Sequence, residues 1–329
     1  MAEPSTAVPP TSAVRAAVDC GTNSTRLLVV GPDDEVLARE VRITRLGEGV
    51  DEHHRLDDDA IARTLTVLGA YREQMAEGGV ERARLVATSA VRDASNRRAF
   101  LDAASRVIGY EAEVLTGTEE GTLAYRGAVG GLPTGAGDDV VVDIGGGSTE
   151  LVVGGDGTPE VVSLDIGCVR LTERHLHHDP PRREELWDAQ TSVGVALERA
   201  ERSLPSLAPV GGQRRLIGLA GTVATLSMLE QNMIEYDRDR VHASVLELSC
   251  VERWCDTLAT ESKAARSLRA GMLAGREDVI VAGALILREV MRRWRFDRCV
   301  VSESDILDGL VESLRDDARR LPGRGRPSG

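Results

Sequence analysis

The chain has 329 residues, 42% of them hydrophobic, 28% charged and only 3% aromatic, with a formal net charge of −13. This is the composition of a soluble globular protein of about two domains with aliphatic cores, and its negative charge excludes nonspecific binding to nucleic acid, a polyanion it would repel. Lys263 is the only lysine, which excludes a GxxxxGK[ST] phosphate loop and leaves any anionic substrate to backbone N–H groups, arginine and metal.

Residues 1–13 carry Pro, Ser and Thr without a basic start and an apolar run, so they read as a disordered tail rather than a secretory leader. The strand Ala16-Ala17-Val18 then leads into Asp19-Cys20-Gly21-Thr22-Asn23-Ser24-Thr25, and a second strand, Leu27 to Val30, follows at once as the return of a hairpin. Ile61, Leu65, Leu68, Tyr71 and Met75 share one face of a helix opened by Asp57 to Asp59 and closed by Gly78-Gly79. A strand over Arg84 to Thr88 and helices over Asn96 to Ile108 and Glu119 to Val129 continue an α/β alternation. Gly130-Gly131-Leu132-Pro133-Thr134-Gly135 reads as a linker.

After the linker the hairpin grammar returns. Val140-Val141-Val142 leads into Asp143-Ile144-Gly145-Gly146-Gly147-Ser148-Thr149, and Leu151-Val152-Val153 follows, so Asp-x-Gly-x-x-Ser-Thr occurs twice. Such a duplication predicts two related domains facing each other across a cleft. The rest predicts strands at Val161 to Leu164, Leu216 to Leu219 and Cys299 to Ser302. Helices are expected at Arg182 to Leu204, Val223 to Glu230, Val251 to Thr260, Glu277 to Trp294 and Asp305 to Arg319, before a disordered Gly/Pro/Arg tail, 321–329. The expected division is domain I over 14–130 with 305–320, and domain II over 131–304.

The densest apolar run, Val279 to Leu287, is shorter than the ~18 residues of a membrane span, so a cytoplasmic protein without membrane contact is predicted. Cys20, Cys168, Cys250, Cys255 and Cys299 form no CxxC pair and are odd in number, which predicts buried free thiols. His175, His177 and His178 are a candidate metal cluster, but Asp179-Pro180-Pro181 marks a loop end there and no helix-spaced acid accompanies them.

The chemistry-bearing residues gather at the turns. Gly21, Thr22, Asn23 and Ser24, and again Gly145, Gly146, Gly147 and Ser148, expose backbone N–H groups that suit phosphate oxygens. Asp143 and Glu150 flank the second turn, and two carboxylates beside phosphate oxygens are what Mg²⁺ prefers; the competing reading makes Glu150 a solvated strand residue and Asp143 a brace. In Thr116-Gly117-Thr118-Glu119-Glu120, one glutamate is accounted for by the helix dipole, and the other is free to orient a water and take its proton. Arg92 follows a buried strand where α/β folds place ligand-facing residues, and its fork can grip two phosphoryl oxygens; on spacing alone a surface ion pair accounts for it equally well.

The blocks AAVDCGTNSTRLLVV, VATSAVRDASN, VLTGTEEGTLAYRG, VVDIGGGSTELVVG, SLDIGCVRLTER, LIGLAGTVATL, GREDVIVAGALIL and VSESDILDGL resemble the exopolyphosphatase and guanosine pentaphosphate phosphohydrolase family from about Ala16 to Leu314. The resemblance implies an α/β, actin-like fold of two ribonuclease-H-like domains with the active site in the interdomain cleft, the last helix crossing back to the first domain. Carried over motif by motif, Glu120 resembles the catalytic base, Arg92 the phosphate-binding arginine, Asp143 and Glu150 the metal-supporting acids, and the two Gly-rich turns the phosphate loops.

The departures are Cys20 for an aliphatic residue, Thr22 for Ser, Thr116 for Ser, and the lack of the helical region that longer members append. The resemblance therefore implies a Mg²⁺-dependent exopolyphosphatase acting on short polyphosphate chains, with a homodimer as a further family expectation. A guanosine pentaphosphate 5′-phosphohydrolase, an ATP-dependent kinase or ATPase, and a non-catalytic sensor of such polyphosphates are the alternatives. The four retained residues Glu120, Asp143, Glu150 and Arg92 argue against the sensor.

Overall fold

In the computed structural model, residues 13–133, 138–154, 158–207 and 214–320 are described, the side chains as far as Arg315. Both expected tails, apart from Ala13, and Thr134-Gly135 of the expected linker lie outside them. The Val-rich runs beside the two Asp-x-Gly turns are apolar in every position because they become the centres of two sheets covered on both faces. In the first, β1 (Arg15–Cys20), β2 (Ser24–Val30), β3 (Val36–Ile43), β4 (Arg82–Ala87) and β5 (Ala112–Val114) stand in the order β3-β2-β1-β4-β5, and β1 is buried at all six positions. The second sheet holds β6 (Asp139–Ile144), β7 (Thr149–Val153), β8 (Glu160–Leu164), β9 (Arg215–Leu219), β10 (Val245–Glu247) and β11 (Arg298–Val301), ordered β10-β11-β9-β6-β7-β8. In each sheet an antiparallel hairpin, β1–β2 or β6–β7, is extended by an antiparallel outer strand and, on the other side, by a parallel strand, β4 or β9. The duplication in sequence is thus a duplication of topology.

Each sheet has its own apolar layer, Leu68, Tyr71, Phe100 and Ile108 among others for the first, Val193, Leu197, Ile286 and Leu287 for the second. The helix Asp58–Glu77 is opened by the Asp57 carboxylate, which accepts from the N–H groups of Asp59 and Ala60. A third cluster, with Val86, Leu123, Ala124, Val141, Val152, Ile217, Leu307 and Leu310, joins the two halves. Two helices make that joint. Gly117–Gly130 packs on β6, β7 and β8, and the last helix, Ile306–Arg320, packs on β1, β2 and β4 and against Gly117–Gly130. They come close because a Cβ on Gly127 would meet the Asp305 carbonyl and one on Gly309 would stand 2.1 Å from the Leu123 carbonyl oxygen. The expected boundary at residue 130 coincides with the end of a helix that packs on the second sheet.

Several elements go beyond the sequence reading: the edge strand β3, the short strands β5 and β10, and the helices Ser89–Asp93 and Cys168–His175. β3 has Val, Leu and Ile at positions exposed to solvent, interrupted by Arg39, Glu40 and Arg42, the mixed pattern of an edge that needs no apolar face. All five cysteines are buried free thiols. His178 Nδ1 lies 2.7 Å from Glu185 Oε1, and among the described residues no group of three His, Cys, Asp or Glu side chains forms a metal cage. No helix of the described residues is long and apolar enough to cross a membrane.

Candidate active site

The two Gly-rich turns are built alike: Gly21 N–H donates to the Ser24 carbonyl and Gly145 N–H to the Ser148 carbonyl, both at 3.0 Å. Among the described residues, the N–H groups of Thr22, Asn23, Gly146 and Gly147 donate to no other protein group. Neither turn uses a positive φ. Glycine is needed for space instead, because the turns touch: a Cβ on Gly146 would lie 2.7 Å from Thr22 Cβ, and one on Gly147 would lie 2.6 Å from Ser89 Oγ. The Thr22 and Ser89 hydroxyls share a hydrogen bond of 3.0 Å beside them. The carbonyls of Gly145 and Gly146 accept from the N–H groups of Cys168, Val169 and Arg170. The same helix reaches the first half, where Arg170 pairs with Asp51 at 3.1 Å and with Asp93, and Glu173 accepts from Gly49 N–H.

Between the halves lies a cleft of about 610 Å³, the size of a small-molecule site. Of the predicted residues, Gly21, Thr22, Asn23, Ser24, Glu120, Asp143, Gly145, Gly146 and Ser148 line it. The duplication explains the carboxylates. Asp19 and Asp143 are each the penultimate residue of the first hairpin strand, and their ladder partners are Arg26 and Glu150. In the first half that pairing is an ion pair, Arg26 donating twice to Asp19 Oδ2 at 3.0 and 2.6 Å and once to Asp305. In the second it sets two acids face to face, which costs stability when both are ionised.

Asp143 and Glu150 are both buried. Burial, then Glu150, push the Asp143 carboxyl up to about 8. Burial likewise raises Glu150, to about 7, against the hydroxyls of Ser163 and Ser148. Ser163 Oγ donates to Glu150 Oε1 at 2.6 Å, and Glu150 sits behind the cleft wall rather than in it. Asp19 Oδ1 is buried without a hydrogen-bond partner, and burial raises its carboxyl too.

The two glutamates left unresolved by spacing part company at the helix start. Glu119 closes a capping box, accepting from Thr116 N–H at 2.9 Å while its own N–H donates to Thr116 Oγ1 at 3.2 Å, and the backbone bond to Thr116 lowers its pKa. Glu120 is buried in the cleft, and its carboxyl is raised well above the usual range by burial, then by Glu150, Asp19 and Asp143, with Arg92 opposing. Arg92 Nη1 donates to the Leu115 carbonyl at 2.9 Å and to Glu120 Oε2 at 3.4 Å. Arg92, Gly147 and Glu150 do not line the cleft. Arg92 comes to the site through Glu120.

Residues that sequence reading missed complete the walls: Asp19, Arg26 and Asp305, then Arg39, Tyr236, Arg238 and Arg276. Aligning the two turns as octets would have found Asp19 and Arg26, since they occupy the positions of Asp143 and Glu150. The others carry no local signal. These four arginines stand among five lining carboxylates, Asp19, Glu120, Asp143, Glu303 and Asp305, so guanidinium groups are at hand for an anion while the acids call for a cation beside it.

The sequence profile of the Ppx/GppA phosphatase family matches residues 30–317. Exopolyphosphatase 2 of Mycobacterium tuberculosis is 44% identical over 316 residues, covering 91% of this chain and 98% of the relative. A guanosine-5'-triphosphate,3'-diphosphate pyrophosphatase of Vibrio campbellii is 30% identical over 96% of this chain, which spans 62% of that longer relative. Among solved structures, an exopolyphosphatase from Cytophaga hutchinsonii superposes with a TM-score of 0.83 at 26% identity, covering 92% of this chain and 98% of that one. A Ppx/GppA enzyme of Aquifex aeolicus does so at 0.74 and 36%, covering 92% and 99%. With the doubled sheet topology and the cleft between the halves, these findings establish that the chain belongs to the Ppx/GppA phosphatase family and has its actin-like α/β fold.

Proposed function

We propose that the chain is an exopolyphosphatase that removes terminal phosphoryl groups from inorganic polyphosphate, with Glu120 as the base. The observation that carries this reading is the convergence of Asp19, Glu120 and Asp143, with Glu150 behind them, beside two phosphate-sized turns of free N–H groups.

A divalent cation fits this set. Its donors are all oxygens, Asp19 Oδ1 is buried without a partner, and a cation would offset the burial and neighbouring charge that raise the Asp143 carboxyl. Mg²⁺ would be held by Asp143, which Glu150 supports from behind the wall across the ladder, and would offset charge building on the phosphoryl oxygens. The N–H groups of Thr22, Asn23 and Gly146 bind the terminal phosphoryl group and fix its orientation, with Gly147 completing the turn behind them. Glu120 holds a water in line with the leaving phosphate and accepts its proton at a carboxylate oxygen as it attacks phosphorus. Arg92 keeps the Glu120 carboxylate aimed into the cleft and lends charge to the transferred group. The division into domain I (14–130 with 305–320) and domain II (131–304), cytoplasmic location and homodimer formation belong to the same reading.

A second reading, a guanosine pentaphosphate 5′-phosphohydrolase, has one observation in its favour: the cleft extends past the turns to Val41, Ile43, Ala224, Leu273 and Tyr236, apolar and aromatic enough to receive a nucleoside. Phosphate release with Mg²⁺ from tripolyphosphate, long-chain polyphosphate and guanosine pentaphosphate decides between them. The expected result is release from polyphosphate that stops on chelation and is absent in Glu120→Gln. Release from none of the three, with binding retained, would overturn the hydrolase and favour the sensor.

A further inference from the structure

Two arginines from opposite walls of the cleft meet away from the Gly-rich turns. Along its wall in the first half, Ser24 pairs with Ile43, Arg26 with Val41 and Leu28 with Arg39, and Ile43, Val41 and Arg39 all line it. Arg39 stands four residues along β3 from Ile43, about 13 Å at the rise of an antiparallel strand, and its guanidinium pairs with Asp308, next to the Arg26–Asp305 pair. From the other wall Arg238 reaches the same place. Arg39 Nη1 and Arg238 Nη2 both donate to the Glu303 carbonyl, at 3.4 and 3.3 Å.

The two guanidiniums thus share one neutral oxygen, with the Glu303 carboxylate close enough to act on both. Arg39 is offset by Asp308 at 2.6 Å, whereas Arg238 has Ser304 Oγ at 3.1 Å and, among the described residues, no carboxylate within 4 Å. The Glu303 carboxylate accepts instead from the Tyr236 hydroxyl. The Nε atom of each arginine is buried without a partner.

We propose that Arg39 and Arg238 form a second phosphoryl subsite, which holds a phosphoryl group remote from the one attacked; this rests on the hydrolase reading of the same cleft. Paired forks with unused N–H groups match phosphate oxygens. The remote group is an inner unit of a polyphosphate chain or the 3′-diphosphate of guanosine pentaphosphate. A chain too short to span both places engages only the turns, so the pair sets a preference among substrates rather than the chemistry.

The test is steady-state kinetics of the full chain with Mg²⁺ on tripolyphosphate, long-chain polyphosphate and guanosine pentaphosphate, for wild type, Arg238→Gln and Arg238→Lys. Arg238→Gln is expected to raise the ratio of KM on long-chain polyphosphate to KM on tripolyphosphate by about ten-fold, with kcat on the long chain held within a few-fold. Arg238→Lys should recover part of it. A ratio raised only when guanosine pentaphosphate replaces the long chain assigns the subsite to the 3′-diphosphate; an unchanged ratio for both overturns it. If wild type releases phosphate from none of these, the hydrolase reading fails by itself, and calorimetric binding of long-chain polyphosphate still reads the subsite: equal Kd for wild type and Arg238→Gln would end it.

Discussion

Two adjacent glutamates of identical chemistry separate because one faces its own helix terminus and the other faces the cleft. Glu119 is spent on Thr116, whereas Glu120 meets three other carboxylates and Arg92. Glu120→Gln should therefore lower kcat by ~10²–10⁴ while substrate affinity stays within a few-fold. Glu119→Gln should leave kcat nearly intact and cost roughly 0.3–1 kcal/mol of stability, because the amide keeps the capping bond to Thr116 but loses the negative charge at the helix N-terminus. Parallel phosphate-release and denaturation curves check both, and the opposite pattern would exchange the roles. Sequence spacing exposed the pair as a choice, since a first-turn acid is ordinary; it could not show which carboxylate a cleft would cover.

At the scale of elements, the two hairpins were legible because their residues are consecutive and each turn follows directly from the chain. The joint between the halves was not. Its closeness depends on Gly127 and Gly309, which look like casual helix glycines until the helices Gly117–Gly130 and Ile306–Arg320 are seen to cross. Gly309→Ala should cost about 1–3 kcal/mol, because its Cβ would press on the Leu123 backbone and a backbone does not rotate away. Gly69→Ala is the contrast: nothing lies within 4 Å of that Cβ, so helix propensity alone acts and stability should rise by about 0.5–1 kcal/mol. Unfolding midpoints in urea at constant m-value separate the two; a neutral Gly309→Ala would mean that the crossing is loose. β3 escaped the sequence reading for an allied reason, since an edge strand is defined by its neighbour rather than by its own pattern.

The whole molecule brings acids from both halves into one desolvated space. A carboxyl whose folded pKa stands above its unfolded value stabilises the fold when protonated, and that contribution is lost as pH rises through the folded pKa. For Asp143, raised from 3.8 to about 8, the loss falls between about pH 4 and pH 8. Protein stripped of divalent cations should thus lose thermal stability across that window, Asp143→Asn should flatten the decline, and Mg²⁺ should restore stability most at the alkaline end. Melting curves from pH 5 to 8.5, with and without Mg²⁺, test this; a decline of the same size in Asp143→Asn would place its origin elsewhere.

The sequence by itself determined the two Asp-x-Gly-x-x-Ser-Thr hairpins, the α/β alternation, the need for backbone and arginine to hold an anion, and most of the phosphate-facing residues. These are local: a turn, a cap or a strand face is dictated by residues within a few positions. Motif resemblance singled out Glu120 where spacing could not, but only the tertiary structure showed it lining the cleft while Glu119 caps its helix, and showed that Arg92 reaches the site through Glu120. It also decided that Arg26 is held by Asp305, 279 positions away, and that β3 and Arg238, at the start of the short helix Arg238–Val241, come together in the cleft wall. Those contacts come from closing long loops around three apolar clusters, and no short stretch of sequence records which distant surfaces that closure brings together.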